Sequence, residues 1–401
     1  MPTPLTPDAK SPPWSSRPKR RVALLVETSN SYVRALLQGV ISYVRENKPW
    51  SFSLVEQGHS DEAPRWVKNW DGDGIIARVK NRRIAEKIVA SGLPVVDLSI
   101  TRYIPTMPNV EPNDEVVGRL AVEHFTQRGF KHFAYCGDDI FLISDRRGAC
   151  FRRALAAAGL TCHEFKRRFA ASVAISRKVA DIGDWLAELP KPLAVFACYD
   201  VRGQHVLDAC RLRGIAVPEQ VAVLGVDNDE LLCELASPPL SSVIPNAQRT
   251  GYEAARLLDR MMNGETVPAT SVLVEPLGIS LRQSTEVLAV DDPHIALALR
   301  FIREHASEPI SVTDVARVVP LSRRILEKRF RQLLNHTLHE EIMSVRLNRV
   351  KRLLVESRLS LEQIAASTGY EHPEYLSVVF KREVGLSPRQ FREHQRRGGV
   401  V

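Results

Sequence analysis

No run of about 18 apolar residues occurs in the 401-residue chain, so a membrane-spanning helix is not expected. The first residues, MPTPLTPDAKSPPWSSRPKRR, hold no apolar segment, which argues against a secretory signal. Their proline and serine content reads as a disordered basic arm over residues 1–20. Cysteine is sparse. Cys136, Cys150, Cys162, Cys198, Cys210 and Cys233 form no C-x-x-C pair, and several lie in apolar runs. That usage predicts buried free thiols in a cytoplasmic protein, not a disulfide scaffold. G-x-S-x-G, a P-loop and H-E-x-x-H are also missing. His336, His339 and Glu340 lie close in sequence without that spacing, so no metal or other cofactor is expected.

Positive charge is in excess, +8 over the chain, and it is unevenly placed. Residues 293–401 hold 19 Lys and Arg against 12 Asp and Glu, and residues 1–21 hold 5 against 1. The long middle is therefore slightly acidic. The basic excess sits at the two ends, where neutralising phosphates would need it. The N-terminal arm reads first as a solvated tail.

The C-terminal excess accompanies a pattern. In Ser311–Leu334, Ser311 and Asp314 have the spacing of a capping box, and Val312, Val315, Ala316 and Val319 share one face. Pro320 stops that helix, because it lacks an N–H and clashes with the preceding turn. Ser322 can cap a second helix with Leu326, Phe330, Leu333 and Leu334 inward and several arginines outward. A short helix, a break and a basic second helix is the layout of a helix-turn-helix. The layout returns in Ser360–Tyr370 and Pro373–Val384, with Gly369 at the break. An amphipathic helix over Leu338–Glu356 joins the copies. Two units held by one helix could read successive major grooves about 34 Å apart.

Upstream, short apolar runs alternate with amphipathic stretches. Strands are expected at Arg21–Val26, Ser51–Val55, Gly74–Ala77, Pro94–Leu98, His132–Cys136, Leu193–Ala197 and Val221–Val226, with late ones at Val272–Glu275 and Ile279–Leu281. Helices are expected between them, one ending at Trp66–Trp70. The alternation restarts near Asn113, which predicts two α/β lobes with parallel sheets and a cleft between them.

Residues 293–396 resemble the AraC-type DNA-binding domain, most closely in IAASTGY and YLSVVFKREVGLSPRQFR. Residues 21–284 resemble the periplasmic-binding-protein-like sensor of lactose-repressor-type regulators. The residues that carry this are PVVDLS, NDEVVGRLAVEHFTQRGFKHFAYCG, RRGACFRRAL, VAVLGVDND and PPLSSV. In this chain the DNA reader follows the sensor instead of preceding it, across a linker at 285–292. The resemblances imply an α/β two-lobed sensor followed by an all-α domain with two helix-turn-helix units. They also imply a cytoplasmic transcription factor that binds a double-stranded DNA operator as a homodimer. Its effector would be a monosaccharide, xylose or another pentose. The competing reading is a sugar- or nucleotide-processing enzyme built on the same lobes.

Candidate effector contacts lie where strands end, since carboxylates and guanidinium groups bind paired hydroxyls directionally. They are Asp97, Asp200 and Asp227, together with Arg147 on the helix after HFAYCG. By resemblance, Asp97, Arg147 and Asp227 occupy sugar-contacting positions, and Tyr199 stands where an Asn is common. The loop after the first strand adds Glu27, Asn30 and Tyr32. Each Asp could instead cap backbone N–H groups, and for Asp200 the two readings are evenly matched. Base and phosphate contacts are expected from Ser322, Arg323, Arg324, Glu327 and Lys328 in the first unit. In the second they are expected from His372, Glu374, Ser377 and Lys381.

Overall fold

The computed structural model describes residues 19–47, 49–56, 70–138, 142–166, 173–286, 289–290 and 292–396. Most of the basic arm and the helix expected to end at Trp66–Trp70 lie outside the described residues; Trp70 itself is not helical. Arg20, assigned to the arm, is the first residue of a strand.

Two six-stranded sheets form the lobes. The first lobe begins with β1 (Arg20–Val26), α1 (Ser31–Glu46), β2 (Trp50–Glu56), β3 (Gly74–Ala77), α2 (Arg82–Val89), β4 (Val95–Asp97) and β5 (Asn109–Pro112). The chain then crosses into the second lobe through α3 (Asp114–Thr126), β6 (His132–Cys136), α4 (Leu142–Ala157) and β7 (Cys162–Glu164). This lobe continues with α5 (Ile175–Glu188), β8 (Leu193–Ala197), α6 (Asp200–Leu212), β9 (Val221–Val226), α7 (Glu230–Leu235) and β10 (Ser241–Ile244). It returns to the first lobe with α8 (Ala247–Met262) and β11 (Ser271–Val274), then crosses again to β12 (Gly278–Ser280). The sheet orders are β11-β5-β4-β3-β1-β2 and β12-β10-β9-β8-β6-β7. Among the described strands every pairing is parallel except β10 with β12. Fully buried runs such as Leu193–Ala197 and Val221–Val226 are what a parallel sheet covered on both faces requires.

Backbone contact locks α1 to α8. A methyl group on Gly39 or on Gly251 would lie 1.9 Å from a carbonyl oxygen of the facing helix. That closeness sets Thr250 of α8 beside Tyr32 of α1.

After a 3-10 turn at Gln283–Thr285 the chain becomes helical: α9 (Pro293–Glu304), α10 (Val312–Val318), α11 (Arg323–Leu334), α12 (Leu338–Glu356), α13 (Leu361–Ser367), α14 (Pro373–Val384) and α15 (Pro388–Arg396). Both arms of the capping boxes form at Ser311–Asp314 and Ser360–Gln363. Ser322 is the N-cap of α11 by position, but its side chain makes no capping bond.

The cores divide unexpectedly. Phe133, Phe151 and Phe196 of the second lobe, Val290, and then Ile295, Val315, Leu326, Phe330 and Ile342 form one continuous buried cluster. The first helix-turn-helix unit is thus built onto the sensor. The second has a separate core of Leu347, Val350, Ile364, Leu376, Phe380 and Phe391. An ion pair between half-buried Arg303 and buried Glu219, at 2.5 Å, fastens α9 to the second lobe.

Candidate functional site

Arg147 lies in the second turn of α4 and is only 1% exposed, so it is neither a helix-opening residue nor a surface charge. Its Nε donates to Asp114 at 3.1 Å, and Nη1 donates to the Cys198 carbonyl. Neighbouring Arg146 grips Glu111 with two bonds, 2.7 and 3.1 Å. Glu111 belongs to β5 of the first sheet and Asp114 opens α3, so this cluster spans the crossing between lobes.

Four charged or phenolic groups influence one another across the cleft. Burial pushes the Tyr32 phenol up to about 12; Arg78 and Arg147 oppose that shift and Asp227 adds to it. Burial also raises the Asp227 carboxyl, against the pull of Arg147 and Arg78. Tyr32 and Arg78 come from the first lobe, Arg147 and Asp227 from the second. Asp227 sits at φ 107 directly after β9, a backbone conformation that a non-glycine residue rarely adopts. Two cations and one carboxylate around a phenol can donate to and accept from vicinal hydroxyls, while the ring offers an apolar face.

The other strand-end candidates are engaged elsewhere. Asp97 accepts from the Ser99 N–H at 2.8 Å, the Ser99 hydroxyl at 2.7 Å and the Val79 N–H at 3.3 Å, and burial raises its carboxyl to about 6. Asp200 takes the Ser242 hydroxyl at 2.6 Å and the Asp229 N–H at 2.8 Å; burial and the nearby Asp227 charge raise it. Asn30 caps α1 by accepting from the Tyr32 N–H at 2.8 Å. Asp97 and Asp200 carry out the backbone-capping alternative, because a buried carboxylate takes the nearest unpaired N–H, and exposed Asn30 acts as a helix N-cap. Glu27 is ion-paired with Lys80. Tyr199 is the N-cap of α6 and donates to Asp138 at 2.5 Å, the carboxylate that Arg202 also holds at 2.5 Å.

The sequence reading missed Arg78, Asp114, Asp138, Arg202 and Thr250. Arg78 directly follows β3 and Asp138 closely follows β6, so the strand-end rule applied to both. A groove of about 350 Å³ between α8 and β11 lies apart from this cluster. Its one deeply buried acid, Glu253, is already occupied by Arg249 and Arg256 at 2.5 and 2.6 Å.

On the helical side, Ser322, Arg323, Arg324, Glu327 and Lys328 are exposed on α11. Arg323 is partly engaged with Glu327 at 2.9 Å. On the second reader, His372, Glu374 and Lys381 are exposed and Ser377 is half-buried. Ile325, Tyr375 and Val378 are also exposed on these helices, although the hydrophobic pattern did not single them out. His336 bonds to Glu341 at 2.7 Å, while Glu340 completes the capping box of Thr337.

The sequence matches three known domain families. An XylR N-terminal domain covers residues 21–109, a periplasmic binding protein-like domain covers 122–285, and a helix-turn-helix domain covers 315–394. The xylose operon regulatory protein of Escherichia coli K12 is 29% identical over 384 residues, 94% of this chain and 97% of that protein. Its counterpart in Haemophilus influenzae is 27% identical over 93% of this chain and 98% of its own length. Among solved structures, a xylose-binding transcription activator XylR superposes with a TM-score of 0.81 at 28% identity, covering 94% of this chain and 98% of its own. A CelR–cellobiose complex matches with a TM-score of 0.55 at 25% identity, over 67% of this chain and 86% of its own. With two sheets forming a binding-protein-like sensor and a double helix-turn-helix behind them, the chain is similar over nearly its whole length to the XylR-like, AraC-type DNA-binding transcription regulators.

Proposed function

We propose that this regulator senses D-xylose or a closely related pentose in the cleft between its lobes, and that occupancy changes how its two helix-turn-helix units engage an operator. One observation carries the effector reading: Tyr32 and Arg78 from one lobe and Arg147 and Asp227 from the other act on a common space. A ligand that bonds to both sides favours one arrangement of the lobes, and only such differential affinity can shift an equilibrium. The pentose assignment is supported by relatives named for xylose that align over nearly the whole chain. The domain divisions we adopt are a sensor at 21–284, a linker at 285–292 and a reader at 293–396. In the cell the protein acts in the cytoplasm as a homodimer, so that a pair of readers meets a repeated site.

Direct base contacts are assigned to Arg324, Glu327, Lys328, His372, Glu374 and Ser377. Ser322, Arg323 and Lys381 add phosphate or bridging contacts. In the sensor, Arg78, Arg147, Asp227, Tyr32 and Tyr199 touch the sugar, while Asp97, Asp200 and Asn30 shape the loops that hold them.

The test is a thermal-shift series on the full chain with D-xylose, L-arabinose, D-ribose, D-glucose and cellobiose. A ligand at 100 times its Kd stabilises by about 2.7 kcal/mol, well within reach of such a measurement. D-xylose should raise the unfolding temperature most. Stabilisation by none of these sugars would sink the effector reading, and a cellobiose response alone would replace the pentose.

A further inference from the structure

We propose that Arg346 is the positioning residue that fixes the two helix-turn-helix units relative to each other, and thereby sets the spacing between the two DNA segments the protein reads.

The case begins with the cores. Helix α12 runs through both units, but its apolar side chains are divided between them. Ile342 belongs to the cluster shared with the sensor and Leu347 begins the cluster of the second unit. Arg346 stands at the boundary and is 9% exposed. Nonpolar packing alone is non-directional. Two separate cores meeting on one helix therefore leave their relative rotation to whatever polar contacts bridge them.

Arg346 bridges them from the middle. Its Nη2 donates to the carbonyls of Glu308 at 2.8 Å and Ile310 at 3.0 Å, in the segment that leads from α9 into α10 of the first unit. The other side of the guanidinium faces the turn of the second unit. Its Nε would lie 2.9 Å from a methyl group placed on Gly369, and the same methyl would lie 2.5 Å from the Glu308 carbonyl. Gly369 has φ +71, which a residue with a side chain rarely adopts. The two units therefore touch through three groups: the Glu308 carbonyl, the Arg346 guanidinium and the bare Cα of Gly369. Nε of Arg346 and the hydroxyl of Tyr370 are both buried at this junction without a hydrogen-bond partner. A guanidinium satisfied on one side only is held there by geometry more than by saturation of its donors.

The consequence for DNA is geometric. One inserted base pair moves a distal site by about 3.4 Å and turns it by roughly 35° around the duplex. A reader with fixed units tolerates one spacing, whereas a reader whose units swivel tolerates several.

The experiment uses the full chain and an operator selected by it from a random duplex pool. A series with one or two base pairs added or removed between the two contacted segments is then titrated with wild type, R346Q, R346K and G369A. Wild type should prefer the parental spacing over its neighbours by about tenfold or more, the loss of one good specific contact. R346Q and G369A should flatten that preference to about threefold or less, and R346K should fall between, since one ammonium cannot match the fork. Melting temperature is followed in parallel. Affinity lost equally at every spacing, with the preference intact, would make Arg346 a residue of stability only and overturn the proposal. Failure of both R346Q and G369A to fold would overturn it in the same way.

Discussion

In the first helix-turn-helix unit, Val315, Leu326 and Phe330 are buried in the same cluster as the aromatic core of the sensor's second lobe. In the second unit, Ile364, Leu376 and Phe380 occupy equivalent places but pack in a cluster of their own with the end of α12. The recognition helices differ in the same sense. α11 opens with Arg323 and Arg324, while α14 opens with Pro373 and Glu374 and exposes Tyr375 and Val378. A duplicated pattern has thus been anchored in two ways. One copy shares its core with the second lobe, and the other is placed through α12.

The largest expected effect breaks that anchor. Glu219 is 5% exposed and its partner is Arg303. Replacing Glu219 with Ala leaves a half-buried guanidinium without its carboxylate, which costs up to about 3 kcal/mol because solvent reaches Arg303 in part. Urea unfolding should show that loss, and the first unit should no longer follow the sensor. An unchanged unfolding midpoint would mean that the pair does not fasten the unit.

Next come substitutions that leave both anchors in place and empty the cleft. Arg147→Ala should weaken D-xylose by about ten- to a hundredfold, because charged hydrogen bonds contribute roughly 1.5–3 kcal/mol each. It also strips the buried Asp114 of its closest partner, so the fold must be checked. Arg78→Ala makes the same test without touching Asp114. Calorimetry gives the sugar affinity and gel shift the sugar-free operator affinity, which should not move. Intact sugar binding in both variants would remove the arginines from the site.

Much of this was legible in the chain itself. Apolar runs such as RVALLV, HFAYC and VAVLGV marked their strands to within a residue, because continuous burial in a parallel sheet leaves no other pattern. Strands β5 and β7 were not legible. Asn109–Pro112 and Cys162–Glu164 are too short and too polar to announce themselves, and only neighbours distant in sequence make them strands. The site shows the same boundary. The strand-end rule found Asp97, Asp200 and Asp227 alike, yet Asp97 and Asp200 accept from backbone N–H groups, while Asp227 sits at a positive φ beside the charges of Arg147 and Arg78. No local pattern reveals that Asp114 holds Arg147 from 33 residues away.

Between the readers, Arg324 and Glu374 occupy matching exposed positions with opposite charge. Arg324→Ala should cost about 1–3 kcal/mol at one base pair and relax preference there. Glu374→Ala should relax a different base pair with little change in salt dependence. Selection from a random pool by each variant checks both. A uniform loss over all sequences would make Arg324 a phosphate contact.

The smallest effect is one of pH, and it separates the sensor from the readers. Burial raises the carboxyls of Asp97, to about 6, and of Asp200 and Asp227. Such a group stabilises the fold below its unfolded pKa near 3.8, and that contribution is lost as pH rises through the folded value. Going from pH 7 to 5 should therefore stabilise the sensor, on the order of 1 kcal/mol per carboxylate. Sugar affinity should fall over the same range, because protonated Asp227 no longer accepts as an anion. Melting curves and calorimetry at the two pH values should move in opposite directions; sugar affinity that held or rose toward pH 5 would exclude Asp227 as an acceptor.

The central claim is that cleft and readers are energetically linked, and linkage has a reciprocal signature. Operator affinity of the full chain is measured by fluorescence anisotropy with and without saturating D-xylose, and D-xylose affinity by calorimetry with and without operator. The two factors should be equal, and a coupling of about 1–3 kcal/mol makes each roughly 5- to 150-fold. Operator affinity indifferent to the sugar, in a chain that binds both, would contradict the account.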